Sequence, residues 1–456
     1  MVDNKEKPQQ SQQLSRSLNS RHITMIAIGG AIGTGLFLGS GQAIHDAGPS
    51  IIIAYLVMGI FTFLLMKALG ELMLSDTSKH SFIDFVEVYL GPRAEFMTGW
   101  MYWICWISLA MADLTATGIY LKFWFPWLPQ WVGPLVIVIL LMLANLVNVG
   151  LFGEIESWFS LIKVAAIIAL IVVGAIMICS HKAINGVPAS FGNLVHYGGL
   201  FPTGASGFMM GCQMVVFAFA GIEMVGVTAG ETANPEVELP KAIDTLPIRI
   251  ILFYLGSMIV IMSVYPWNQI KTTVSPFVQV FSAMGIKYAA GIINFVVLTA
   301  AMSATNSALF TTSRTLYTLA RSGNAPAYFT KLNKEAVPQR ALNCSSLILL
   351  IVVALNYFLP SKIFQIISSV STINFLFVWI IIMICHILYR RKSQHPGLSP
   401  MPGYPFTSWL TLFFFVGILI VLLIEPATRL SLILFFVFFA LLFWQYKWLT
   451  KRQGNN

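Results

Sequence analysis

Three ionisable residues stand well inside long apolar runs of the chain, where their positions point to chemistry. They are Asp113 in "MADLT", Lys163 in "LIKVA" and Glu223 in "GIEM". A charge in the core of a bilayer is costly, so each is expected to face a protein-lined cavity or a partner, either to exchange ions or to tie helices together. Lys67 and Glu71, four apart near the end of a run, are expected to form a snorkelled surface pair.

Four glycines crowd the first apolar run, "AIGGAIGTGLF" at 27–37. Glycine costs about 1 kcal/mol relative to alanine in a helix interior. Three explanations are open. Small residues four apart let helices pack closely in lipid, or the glycines hinge the helix. Alternatively the helix is interrupted, and the N–H groups at the start of its second half bind an anion such as a carboxylate.

A second run with a central glycine lies five spans later. "FAFAGIEMVGVTAGE", at 217–231, has Gly221 in its middle and Glu223 beside it. Interrupted helices in corresponding positions of two halves are typical of inverted-repeat transporters, and they are tolerated only where they line an enclosed cavity. The pairing favours interruption over close packing alone, and it predicts a site between spans one and six.

The composition predicts an all-α, polytopic membrane protein. Hydrophobic residues make up 57% of the chain and charged residues 10%, against roughly 25% charged in a soluble domain. The apolar residues come in blocks long enough to cross a bilayer. Twelve spans are predicted, at about 23–44, 51–74, 96–125, 131–149, 157–180, 206–231, 247–267, 286–319, 342–359, 363–389, 406–424 and 429–449.

The basic residues predict the orientation. Of the 27 Lys and Arg residues, 20 lie on the side that holds both termini and six on the other, which makes the terminal side the cytoplasmic side of a plasma membrane. The polar segment 1–20 is expected to be disordered and has no signal-peptide pattern; 451–456 form a cytoplasmic tail. The basic residues are scattered over short loops, so no nucleic-acid partner is expected.

Several chemistries lack their residue patterns. The five cysteines and seven histidines are dispersed without metal-ligand spacing, so neither a metal nor a cofactor is expected. A channel needs a polar stripe along a span, and a membrane enzyme needs a catalytic set; neither pattern is present. The cysteines are expected to be reduced packing residues: Cys105, Cys179, Cys212, Cys344 and Cys385.

Long stretches of the chain resemble one known family. The segments 21–41, 217–243 and 303–329 are similar to the amino acid permeases of the APC superfamily, in its bacterial amino acid transporter branch. The similarity runs from about Ser15 to the last span. Within the branch, 109–126 and 247–254 are most similar to permeases for D-serine, D-alanine and glycine, with aromatic, lysine and 4-aminobutyrate permeases close behind.

The resemblance implies a LeuT-like fold in a single permease domain at 21–450. Spans one to five (23–180) and six to ten (206–389) would form inverted repeats, with broken helices one and six. Two further spans at 406–449 would follow. The oligomeric state, monomer or homodimer, stays open.

The resemblance also implies how a substrate is held. The N–H groups of Thr34 and Gly35, beside Gly33, would bind the substrate carboxylate, and the carbonyls of Ala31 and Ala220 its ammonium. Phe217 would add its carbonyl and cover the site as an aromatic gate, next to the interruption at Gly221. Ala308 stands where the branch usually has glycine, and its methyl group favours a small substrate.

Proton coupling is implied at the membrane charges. Lys163 matches a lysine that occupies the sodium site in proton-coupled relatives, with Ser303 as its nearby partner. Glu223 matches an acid linked to proton sensing. Asp113 is an acidic position shared with close relatives, and it either pairs within the bundle or shapes the pocket.

The expected function is import of small neutral amino acids (alanine, serine, glycine, possible D-enantiomers included) by proton-coupled alternating access. Lys163 argues against a sodium ion in its own site, because two cations would compete for one small space. The alternatives are a permease of the same branch for aromatic amino acids, 4-aminobutyrate, proline or threonine, an exchanger, a sodium-coupled carrier, or a nutrient sensor on the same fold.

Overall fold

The computed structural model describes residues 32–79, 81–146, 149–224, 235–285, 288–333, 336–360, 362–393 and 399–453. This part of the chain is almost entirely helical. The expectations for Ala31, for the glycines before it and for the terminal segment 1–20 lie outside the described residues.

The helices follow one another with short connections. In chain order they are α1 Ser40–Ala47, α2 Ile51–Leu74, α3 Phe82–Leu90, α4 Pro92–Leu121, α5 Val132–Asn145, α6 Val149–Cys179, α7 Gly204–Phe219, α8 Pro235–Asp244, α9 Leu246–Arg249, α10 Gly256–Val264, α11 Pro276–Ala283, α12 Ala289–Arg321, α13 Gln339–Leu349, α14 Ile351–Phe358, α15 Ile363–Lys392, α16 Phe406–Ile424 and α17 Arg429–Gln453.

Shorter elements complete the described chain. Two of them are π-helical turns, Gly35–Gly39 before α1 and Ile250–Leu255 before α10. Antiparallel strands β1 Ala183–Ile184 and β2 Val187–Pro188 form a small hairpin. Short 3₁₀ turns lie at Gly48–Ser50, Phe191–Leu194, Trp267–Gln269, Ala327–Thr330 and Pro426–Thr428.

Nine helices of the described residues are long and apolar enough to cross a membrane. The first candidate, Gly35–Leu74, has 40 residues and covers two predicted spans; Gly48, at φ 63°, turns the chain between them. Two shorter apolar helices, Val132–Asn145 and Gly204–Phe219, correspond to spans four and six. The protein is therefore a multi-pass membrane protein, and the count of twelve stays a prediction.

Local signals explain two helices that the hydropathy pattern does not predict, α3 and α11. Ser81 caps α3: its hydroxyl accepts from the N–H of Ile83, and its own N–H donates to Asp84. This reciprocal capping box satisfies two of the N–H groups that a helix start leaves unpaired. Pro276 occupies the first position of α11, where a missing N–H costs nothing.

Burial divides the long helices into an inner and an outer set. The apolar windows of α4, α12 and α15 are 78%, 83% and 78% buried within the protein, whereas those of α16 and α17 are each 22% buried. The inner helices carry the polar side chains that face one another, and the outer two present apolar surface to lipid.

The expected surface pair of Lys67 and Glu71 is wrong. Glu71 is fully buried, and its carboxylate accepts from the N–H of Met401 at 2.8 Å and lies 3.0 Å from both His386 and Arg390. Lys67 pairs with Asp244 instead. Helix α15 and the segment after it pack over the end of α2, a tertiary contact that hydropathy does not reveal.

Candidate functional site

Among the described residues, the helix of the first span starts within the glycine-rich stretch. Ile32 and Gly33 are not helical, and helical geometry begins at Thr34. The carbonyl of Gly33 accepts from the N–H groups of Leu36 and Phe37, both at 3.3 Å. The N–H groups before these, of Thr34 and Gly35, would pair within a helix only with residues outside the described part of the chain. The described start of this helix is buried.

Helix α7 ends where the interruption of span six is predicted. Its last residue is Phe219; Ala220 is extended at ψ 139°, and Gly221 adopts φ 90°, which favours glycine because it lacks a Cβ. The chain then makes a turn closed by the N–H of Met224 and the carbonyl of Gly221. The second half of the predicted span, 225–234, lies outside the described residues.

The described start of the first-span helix and the end of α7 pack backbone against backbone. A Cβ on Gly35 would lie 2.6 Å from the Cα of Ala218, a distance that real Cβ atoms do not show, and 3.1 Å from the carbonyl oxygen of Phe217. A Cβ on Gly39 would lie 2.8 Å from the Sδ of Met214, a flexible side chain that can move aside. Close packing therefore applies at Gly35, beside the end of α7 at Phe219, and interruption of the first span stays a prediction.

Asp113 of α4 lies at the start of the first-span helix. The hydroxyl of Thr34 donates to its Oδ1 at 2.5 Å, the N–H of Thr34 also faces this carboxylate, and both side chains are about 1% exposed. Oδ2 has no hydrogen-bond partner among the described residues. A Cβ on Gly33 would lie 3.6 Å from Ala304 and 3.8 Å from Asp113. Asp113 thus contacts the residues predicted to hold a carboxylate.

Lys163 has a partner that the sequence analysis missed. Its ammonium lies 3.7 Å from Oε1 of Glu156, and both side chains are fully buried. Ser303, the expected neighbour of Lys163, donates to the same Oε1 at 2.6 Å. Glu156 escaped notice because it stands in the polar stretch "GEIES", at the edge of an apolar run. Its spacing of seven residues from Lys163, two helical turns on one face, is the signal that could have found it.

The third membrane charge, Glu223, lies in the turn after α7. It is fully buried, and its Oε2 accepts from the indole N–H of Trp379 on α15 at 3.2 Å. Each of the three predicted charges therefore has a partner, as expected. Phe217 packs edge-on against Phe364, with ring centroids 6.0 Å apart. Ala308 is fully buried in α12.

A cavity of about 450 Å³ lies on one side of this group. Phe364, the neighbour of Phe217, lines it, together with polar side chains of four other segments: Gln42, Lys122, Gln130, Thr272 and Asn294. The described residues contain no group of three or more His, Cys, Asp or Glu side chains placed to hold a metal ion. The group offers buried carboxylates, the buried ammonium of Lys163 and backbone polar groups.

Comparison with known proteins decides the family. The family model described as amino acid permease matches residues 22–455. The chain belongs to the amino acid permease family. An amino-acid permease of Bacillus subtilis, AapA, is similar at 55% identity over 446 residues, 97% of this chain and 96% of that one. This permease is therefore a transporter and not an enzyme.

Two further relatives have names that include their substrates. A D-serine/D-alanine/glycine transporter of Escherichia coli (O6:H1, strain CFT073) is similar to this permease at 50% identity, with 92% of this chain and 91% of the relative covered. A probable threonine/serine transporter of Bacillus subtilis, YbxG, is similar at 42% identity, with 94% of each covered. The similarity spans nearly the whole permease in each case.

Proposed function

We propose that this permease imports small neutral amino acids together with protons. One observation carries the proposal: Thr34, where the described helix of the first span starts, is bonded to a buried carboxylate, Asp113, beside the packed end of α7. Donor groups that hold one carboxylate away from water are suited to hold another.

The substrate would be recognised mainly by backbone. Its carboxylate would lie at the N–H groups of Thr34 and Gly35, beside Gly33, and its ammonium at the carbonyls of Ala31, Phe217 and Ala220. The carbonyl of Phe217 already accepts from Ala220 at 3.2 Å, but a carbonyl oxygen has two lone pairs. Gly221 lets the chain turn here, and Phe217 would close the site.

Small side chains favour a small substrate. Ala304 lies within van der Waals distance of a Cβ on Gly33, and Ala308 is buried one turn further along α12. Relatives at 50% and 42% identity are named for D-serine, D-alanine and glycine and for threonine and serine. We therefore assign alanine, serine and glycine, D-enantiomers included, ahead of aromatic amino acids, 4-aminobutyrate or proline.

Protons would couple to transport through the buried charges. Lys163, the Ser303 hydroxyl, Asp113 and Glu223 are the candidate groups, because desolvation disfavours charge and makes proton exchange sensitive to which side is open. The ammonium of Lys163 would take the place of a sodium ion. An exchanger would use the same site without net proton movement.

Alternating access would proceed on a LeuT-like arrangement of two five-span inverted repeats followed by two spans. The cavity beside Phe364 holds Lys122, which lies on the side assigned as extracellular, so it would be the outward entrance. Both termini would lie in the cytoplasm and the permease in the plasma membrane.

Binding to the purified permease tests recognition of a zwitterion. Displacement of labelled D-serine should be effective with glycine, alanine and serine and ineffective with phenylalanine. Ethanolamine, without the carboxylate, and propionate, without the amine, should not compete. Strong competition by phenylalanine would contradict the small-substrate assignment, and competition by ethanolamine would contradict carboxylate recognition at Thr34.

A further inference from the structure

Glu156 forms a buried charge pair with Lys163, and the proposed substrate contacts do not account for this pair. Its Oε1 lies 3.7 Å from the ammonium of Lys163, with both side chains fully buried, and the same oxygen accepts from Ser303 at 2.6 Å. The second oxygen, Oε2, has no hydrogen-bond partner among the described residues. One carboxylate oxygen thus joins a lysine of α6 to a serine of α12.

Electrostatics makes this carboxylate necessary to the lysine. Burying an ammonium without a counter-charge costs more desolvation free energy than other contacts in the protein recover. A buried ammonium is therefore kept charged only when it is paired. Asp113 also lies within electrostatic range of Lys163, but its Oδ1 is bonded to Thr34. Glu156 is therefore the counter-ion on the lysine's own helix.

The geometry of the pair would allow the Lys163 ammonium to release its proton. At 3.7 Å the nitrogen–oxygen distance exceeds that of a good hydrogen bond, so the attraction is mainly that of two charges. Ser303 makes the short bond and keeps the carboxylate in place whether or not the lysine is charged. The next residue of α12, Ala304, lies beside Gly33. A contiguous set of contacts therefore connects the lysine to the predicted carboxylate site.

We propose that Glu156 is the positioning residue of Lys163: it holds the ammonium in its charged form and, through Ser303, links the charge state of Lys163 to α12. This inference rests on the proposed proton coupling. Glu156 would set the pH range in which Lys163 exchanges its proton, and Asp113 would contact the substrate.

The pH profile of uptake tests this role. Glu156→Gln keeps an acceptor for Ser303 and removes the charge, so the half-maximal pH of uptake should fall by at least about one unit, the effect expected when an opposite charge within 4–6 Å is lost. Glu156→Asp keeps the charge and should recover part of the shift. Glu154→Gln, an exposed carboxylate on the same helix, is the control. An unchanged midpoint in Glu156→Gln would overturn the proposal.

Thermal unfolding of the purified protein tests the pair without transport. Glu156→Gln and Lys163→Met should each lower the unfolding temperature, and the double variant should unfold above the more damaged single variant, because it leaves no unpaired charge. Additive losses would overturn the pair itself. A native permease whose uptake ignores pH would instead overturn proton coupling and the role of Glu156 within it, whatever the unfolding data show.

Discussion

The hydroxyl of Thr34 donates to the carboxylate of Asp113 at 2.5 Å, in a part of the protein where both side chains are about 1% exposed. The permease thus carries an acid of its own at the helix start that is proposed to receive the substrate's carboxylate. Two carboxylates at one small site repel each other unless one is neutral. This relationship provides a physical reason for a proton and an amino acid to bind together.

Asp113→Asn should separate binding from coupling. The amide keeps the shape and an oxygen for the Thr34 hydroxyl but can no longer ionise, so substrate exchange across the membrane should persist while accumulation driven by a pH gradient is lost. Counterflow and gradient-driven uptake in proteoliposomes measure the two activities. Thr34→Ser, which retains the hydroxyl, is the control. Full gradient-driven accumulation by Asp113→Asn would contradict a coupling role.

Gly35→Ala should abolish uptake, because its Cβ would lie 2.6 Å from backbone of α7 that cannot move independently. The strain is expected to cost about 1–3 kcal/mol of stability, so the protein should still insert. Gly417→Ala is the control, since a Cβ at Gly417 meets no heavy atom within 4 Å. Normal uptake by Gly35→Ala would show that the two segments do not need this close approach.

Lys163→Met should remove proton-driven accumulation and leave the internal substrate concentration no higher than the external one. A methionine fills similar volume but carries no proton, so it cannot gain or lose one during transport. Uptake with an imposed pH gradient, or with a sodium gradient alone, gives the readout. Lys271→Gln, at an exposed position, is the control. Proton-driven accumulation by Lys163→Met would contradict a coupling role for Lys163.

Glu71→Gln should destabilise the permease strongly. The carboxylate is fully buried between His386 and Arg390, and breaking a buried pair by removing one partner costs about 3–5 kcal/mol. Asp244→Asn is the matched comparison, because it breaks the pair with Lys67 at an aspartate whose side chain is 58% exposed. This change should lower the stability by at most about 1 kcal/mol. Thermal unfolding distinguishes the two, and equal losses would argue against a structural role for the Glu71 network.

The spans could be predicted wherever polar residues bound an apolar run. The predicted bounds 51–74 and 406–424 coincide with α2 and α16. The end of α7 near Gly221 could also be predicted, because a central glycine and a nearby acid are out of place in a lipid-facing helix. These signals lie in the local sequence, so they can be recognised without knowing how the helices pack.

Partners brought together by packing could not be predicted. The hydropathy pattern places Glu156 in a loop, because it locates the start of the apolar span and not the start of the helix. The helix α6 already begins at Val149. Glu71 is predicted to lie at the surface because the sequence around it does not show that α15 packs over it. The contact of Gly35 with Ala218 joins residues 183 positions apart, a distance over which no sequence periodicity extends.

Uptake by the purified permease in proteoliposomes tests the central claim most directly. Labelled glycine, L- and D-alanine, L- and D-serine and phenylalanine are compared with and without an inwardly directed proton gradient. The account predicts accumulation of the small amino acids only when the gradient is present. Preferential uptake of phenylalanine, or uptake of the small amino acids that is indifferent to the gradient, would contradict it.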